Sequence, residues 1–155
     1  MNFTIREYRP SDLGQLYAID QSCYSPAIAY SLAELRWYLQ LEGAACFLAE
    51  NRKDILGFIL SAHKGAHGHI ITIDVVAHRR RSGVGTALLH QAELNLDTAG
   101  ATEVWLETAT NNDTAIAFWH NHGYRTRGRM KHYYSGGIDA FAMSKRLINS
   151  ARQEN

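Results

Sequence analysis

Val75–Glu93 reads VVAHRRRSGVGTALLHQAE. A β-branched run passes into three arginines, then into two glycines flanking Val84, then into the helical spacing of Ala87, Leu88, Leu89 and Ala92. Strand, positive charge and helix start therefore meet in one short loop. A glycine-rich turn that enters a helix exposes unpaired backbone N–H groups at the positive end of the helix dipole, which suits a phosphate without any side chain. Arg80, Arg81, Ser82, Gly83, Val84 and Gly85 are thus candidates to cradle a pyrophosphate. No Gly-Lys-Ser/Thr follows, which rules out a P-loop, and the third glycine of the dinucleotide fingerprint is missing. A solvated basic run, with the glycines serving only a turn, is the plainer alternative at this point.

Upstream, Phe3, Ile5 and Glu7–Tyr8 mark a first strand, closed by Pro10 with Ser11 as the expected cap of a helix through Leu13, Leu16, Tyr17 and Ile19. Tyr24–Tyr30 reads as a loop. Ser31 and Glu34 form a capping box for a second helix that ends near Gly43 and carries Leu32, Leu35, Tyr38 and Leu39 on its apolar face. Ala45–Glu50, Ile55–Ala62 and His69–Ala77 read as consecutive strands of an antiparallel meander, separated by NRKD and by KGAHG. Downstream, Glu103–Thr108 is strand-like, Asn112 caps a helix through Ile116 and Trp119, and Gly123 stops it. Tyr124–Met130 and Ile138–Ser144 supply two last strands. These segments predict one α/β layered (α+β) domain over residues 1–148, with a central mixed, mostly antiparallel sheet flanked by helices and a short polar tail over 149–155.

Bulk properties agree. A chain of 155 residues, 46% hydrophobic, is long enough for one real core. Sixteen basic and fifteen acidic side chains leave a net charge of +1, so nothing global calls for nucleic acid or an anionic membrane. Cys23 and Cys46 have neither metal-ligand spacing nor the density of a disulfide scaffold, which fits a reducing cytoplasm. No leading segment is apolar enough for a signal peptide or a membrane span. His63, His67, His69 and His78 are joined by no carboxylate or cysteine at a recognisable spacing, so they read as solvent-facing turn residues and no metal is expected. RTRGRMKH, Arg125–His132, reads as a strand with one solvated charged face.

Arginine, two residues, then Gly-x-Gly, between a strand and a helix, resembles the acetyl-CoA-binding segment of the GNAT acetyltransferases. CYSPAIAYSLAEL (Cys23–Leu35), LETATNNDTAIAFWHNHGY (Leu106–Tyr124) and HYYSGGIDAFAMSKRL (His132–Leu147) are similar to the matching segments of ribosomal-protein alanine N-acetyltransferases and related N-terminal acetyltransferases. The resemblance implies the GNAT fold, acetyl-CoA as co-substrate, and as partner a protein or peptide N-terminus, that of a ribosomal protein included. It implies that the strand at Ile73, Asp74 and Val75 splays from its neighbour to take the pantetheine arm, with the Val75 N–H polarising the thioester carbonyl. It implies that Arg80 to Thr86 hold the pyrophosphate, that Asn112 adds a cofactor contact beside its capping role, and that Glu107 is the general base. Ile28 and Tyr30 in the first loop, with Tyr133 and Tyr134 in the last hairpin, would flank a narrow slot for the acceptor.

One position departs from the pattern. Where related enzymes carry a tyrosine that protonates the departing thiolate, this chain has Trp119, whose indole N–H donates a hydrogen bond but is no proton-transfer acid near neutrality. Tyr133, Tyr134 or water would then take that part, and Trp119 would pack along the pantetheine or simply in the core. Three functions stay open: an N-acetyltransferase of protein N-termini, one acting on a small amine or a lysine side chain, or a non-catalytic acyl-CoA-binding module.

Overall fold

The structure is a computed structural model and describes residues 2–147. The tail expected over 149–155, and the domain end at 148, lie outside the described residues. The helix that begins inside the opening stretch, α3 (Val84–Thr98), buries Val84, Leu88, Leu89, Ala92 and Leu96 along one side. That spacing is the apolar stripe of an amphipathic helix, and it lies against a sheet. The sheet's strands are β1 (Thr4–Glu7), β2 (Ala45–Asn51), β3 (Asp54–Lys64), β4 (His67–Val75), β5 (Glu103–Ala109), β6 (Arg125–Met130) and β7 (Ala140–Arg146), in the order β1-β2-β3-β4-β5-β7-β6. Every neighbouring pair is antiparallel except β4 and β5, which run parallel. Parallel neighbours need a crossover, and α3 is that crossover.

Alternation along the central strands sends side chains to two cores. Phe47, Leu56, Ile59 and Ile70 meet α3 on one face, joined there by Trp119 of α4 (Asp113–Asn121). Leu48, Ile55, Phe58 and Leu60 meet α1 (Leu13–Cys23) and α2 (Leu32–Leu39) on the other. The layered, mostly antiparallel architecture expected from the sequence is the one found.

Local corrections have local causes. Ser11 caps nothing and is exposed; Asp12 closes the turn, its carboxylate accepting the Arg9 N–H at 2.8 Å and two guanidinium N–H groups of Arg6 at 2.9 Å each. A carboxylate satisfies three donors where a hydroxyl would satisfy at most two. The Ser31–Glu34 capping box forms, but α2 stops at Leu39, ahead of Gly43, and Leu32 is exposed rather than part of the buried face.

Candidate active site

β4 and β5 pair only from His67–His69 to Glu103–Trp105, after which the strands part. The wedge opens into a cleft of about 970 Å³ whose walls include Ile73, Val75, Thr86, Leu106, Glu107 and Asn112. Val76 donates its N–H to Leu56 on β3, so the backbone groups of Val75 and Ile73, by alternation, point away from β3 into the wedge. Their carbonyls are partly engaged: Tyr24 Oη donates to Ile73 O at 2.8 Å, and Arg80 Nε donates to Val75 O at 3.2 Å. Their N–H groups have no strand opposite them. Asp74, between the two, faces the other way, pairs with Phe58 of β3 and is 1% exposed, so it does not join the cleft wall.

The arginine-glycine loop closes one end of this cleft. Arg81 (φ 61°) and Gly83 (φ 88°) both take left-handed conformations, free for glycine and costing about 1 kcal/mol for arginine. Such alternation turns successive N–H groups toward one point, beside the first turn of α3. Ser82 donates its hydroxyl to the Arg79 carbonyl, pinning the turn. Arg80, Arg81, Gly83, Gly85 and Thr86 line the cleft, whereas the Val84 side chain is wholly buried. A Cβ on Gly85 would sit 3.2 Å from Phe118 Cε1, so this glycine lets α4 pack onto α3. These features fit a pyrophosphate: a cationic loop, free N–H groups and a helix start converge there.

At the mouth of the wedge Glu107 meets a partner the sequence reading missed. His69 Nε2 lies 2.7 Å from Glu107 Oε1, and the Tyr133 hydroxyl donates to the same oxygen at 3.3 Å. His69 is therefore not a solvent-facing turn residue but a half-buried strand residue on β4; His63, on β3, is half-buried too. Among the described residues no group of histidines, cysteines and carboxylates could hold a metal. Burial first, and then the charge of Glu107, pushes the Tyr133 hydroxyl up to about 12, so it serves as a donor to that carboxylate. Tyr134 packs edge-to-face on Tyr133, with ring centres 4.9 Å apart, and lines the cleft together with Ile28 and Tyr30. The loop before α2 and the hairpin before β7 thus flank Glu107 from two sides.

Asn112 accepts the Ala115 N–H at 3.1 Å as the cap of α4 and also borders the cleft. Trp119 is 5% exposed; its ring packs against Phe118 and Tyr124 in the core, and the residue also borders the cleft. Core packing thus accounts for most of its surface.

A second group escaped sequence reading. Asp20 at the end of α1 and Asp74 are both fully buried, and Asp20 Oδ1 and Asp74 Oδ2 lack any donor. Their other oxygens are satisfied: Tyr30 N–H bonds Asp20 Oδ2 and the Thr72 hydroxyl bonds Asp74 Oδ1, each at 2.7 Å. Burial, and then the hydrogen bond and charge of Asp20, raise Asp74 well above the ordinary carboxylate range. That environment favours the protonated form of Asp74, and Asp20 in turn holds the loop bearing Ile28 and Tyr30 through the Tyr30 N–H. The two aspartates stand far apart in sequence, so only the fold reveals them as a pair.

The model of the acetyltransferase (GNAT) family matches residues 13–124. An N-alpha-acetyltransferase of Sulfolobus acidocaldarius is 29% identical over 160 aligned positions, covering 95% of this chain and 94% of its own. Ard1 from Thermoplasma volcanium superposes with a TM-score of 0.87 at 26% identity over 96% of this chain and all of its own. The ribosomal-protein-S18-alanine N-acetyltransferase of Escherichia coli shares the fold, with a TM-score of 0.84 at 24% identity, over 96% of this chain and 97% of its own.

Proposed function

The chain belongs to the acetyltransferase (GNAT) family, and from that premise we propose that it transfers acetyl from acetyl-CoA to the α-amine of a protein or peptide N-terminus. The observation that carries the reading is the Glu107–His69 pair, held 2.7 Å apart where β4 and β5 separate and flanked by tyrosines of two loops. Bound acetyl-CoA supplies a thioester carbonyl as the electrophile. Arg80, Arg81 and the N–H groups from Gly83 to Thr86 would hold its pyrophosphate, and the free N–H of Val75 or Ile73 would hold the acyl oxygen.

An incoming amine is largely ammonium and must lose a proton before it can attack. Glu107 takes that proton directly or through one water, and His69 steadies the carboxylate and offers a second station for the proton. An α-amine with a pKa near 7.8 is roughly one-third free base at pH 7.5, whereas a lysine near 10.4 is free in about one part in eight hundred. One carboxylate–imidazole pair is therefore better matched to the α-amine. Tyr133, as a donor to Glu107, belongs to the acceptor side of this machinery rather than to the thiol side. The departing thiol, with an ordinary pKa near 8.5, leaves readily as thiolate and takes its proton from water. Trp119 in the tyrosine position is then no obstacle.

Ile28, Tyr30 and Tyr134 would line the acceptor slot, and a ribosomal protein is one candidate owner of the N-terminus. The free thiols of Cys23 and Cys46 suit a cytoplasmic setting, and no helix among the described residues is long and apolar enough to cross a membrane. The test is to incubate the protein with acetyl-CoA and two peptide sets: free N-termini beginning Ala, Ser, Met or Gly, and N-blocked peptides with one lysine. Mass spectrometry is expected to find the added acetyl on the free N-termini. Modification of lysine alone, or of no peptide, overturns the proposal.

A further inference from the structure

His122 caps the end of α4, behind the arginine-glycine loop rather than within the cleft. Its Nδ1 lies 2.8 Å from the Phe118 carbonyl oxygen. A carbonyl only accepts, so Nδ1 carries the N–H. In the neutral ring Nε2 is then a bare lone pair, and it lies 3.1 Å from the hydroxyl of Thr86. That hydroxyl must donate to the ring, and its single proton is turned away from the cleft that Thr86 lines. Lone pairs alone would face an incoming phosphate.

We propose that His122 is a positioning residue for the phosphate end of the cofactor site, acting through Thr86 and coupling cofactor binding to uptake of one proton. The proposal rests on the acetyl-CoA reading above. When a proton from solvent adds to Nε2, the ring donates to Thr86 Oγ1, and the hydroxyl proton is released to rotate into the cleft. One donor is gained for the phosphate, and one positive charge is gained behind the first turn of α3. Bound pyrophosphate favours the charged ring, and by linkage the protonated protein binds pyrophosphate more tightly.

Two aromatic rings lie against the His122 imidazole. Phe118 of α4 packs on it at 4.4 Å between ring centres, and His90 of α3 stands edge-on at 6.2 Å. Past Gly123, Lys145 of β7 and Tyr124 are both bonded to Glu93 of α3, at 3.0 and 2.7 Å. His90, the neighbouring imidazole, is the control.

Dephospho-CoA is the probe, since its pyrophosphate does not titrate near neutrality and it lacks the terminal phosphate that does. Calorimetry between pH 5.5 and 8, in buffers of differing ionisation enthalpy, reads affinity and protons bound together. The wild type is expected to bind roughly fivefold tighter at pH 5.5, the margin of a charged over a neutral hydrogen bond, with net proton uptake on binding. His122→Gln keeps a donor toward Thr86 but cannot titrate; it should show flat affinity and no uptake, with its melting temperature checking that it is folded. His90→Gln should retain the wild-type slope. A flat wild type, or a His122→Gln protein that keeps more than half of the slope, overturns the proposal while leaving the acetyl-CoA reading intact. No binding at any pH removes both.

Discussion

Glu107 was legible in the sequence because it follows the apolar Val104-Trp105-Leu106 at the position that the resemblance assigns to a base, but its partner was not. His69 precedes it by 38 positions, and only the parallel register, His69 opposite Trp105, brings the imidazole to a carboxylate two residues further along β5. Histidine clusters in a turn-rich stretch carry no such register. The two ends of the cleft should separate cleanly by mutation. Glu107→Gln keeps the shape but abolishes proton acceptance, so kcat should fall about 10²- to 10⁴-fold while acetyl-CoA binds as before. Arg80→Ala should do the reverse, weakening acetyl-CoA about three- to thirtyfold with kcat at saturation little changed, because it removes a charge-assisted contact and the brace on the Val75 carbonyl. Steady-state kinetics with direct binding measurements on both variants checks this; a pattern with the roles exchanged would sink the assignment.

Elements, more than residues, were readable from pattern: nearly all strands and helices lie within a few positions of where periodicity, capping and glycine put them. The failures share a cause, since each depends on a neighbour distant in sequence. Asp12 outcompetes Ser11 because Arg6 on β1 reaches it, and Asp74 leaves the cleft wall because β4 shows alternate residues to opposite sides. On β4 that alternation divides the labour: Ile73 and Val75 face the wedge, while Asp74 faces the other way, beside Asp20 of α1. Because the Asp74 pKa is raised on folding, the folded protein binds a proton that the unfolded chain releases above about pH 4. The contribution is whole below that pH and is lost as pH rises toward the raised value, by up to about 1.4 kcal/mol per unit. Cys23, Tyr24 and Cys46 also lie near this carboxyl, each held in its neutral form by burial, and Arg80 opposes the shift. Asp74→Asn, whose amide cannot ionise, should flatten the decline in urea midpoint between pH 5 and 9; an unchanged slope would show that Asp74 does not cause it.

At the scale of the molecule the sheet order decides which damage reaches the chemistry. The wedge lies between β4 and β5, while β1 is the far edge, three strands from β4. That edge is fastened by Arg6, which bonds Asp12 with two N–H groups and Glu50 of β2 with Nε at 3.0 Å; the Arg6 and Asp12 side chains are only 18% and 8% exposed. Removing the guanidinium leaves a nearly buried carboxylate short of two of its three donors, a loss of about 1–3 kcal/mol, less than for a fully buried pair because some solvent remains. The Arg6 hydrogen bonds hold Asp12 below the ordinary carboxylate range, so its contribution is present near neutrality and is lost as pH falls below about 4. Arg6→Gln should therefore melt several degrees lower at pH 7. Its deficit should shrink on acidification, since the wild type loses the same contacts there. Turnover per folded molecule should remain within about twofold, because distant, unshared contacts act independently. Scanning calorimetry from pH 3 to 7 beside kinetics at 25 °C tests both halves, and a kcat that fell in proportion to stability would mean that the edge and the wedge move as one body.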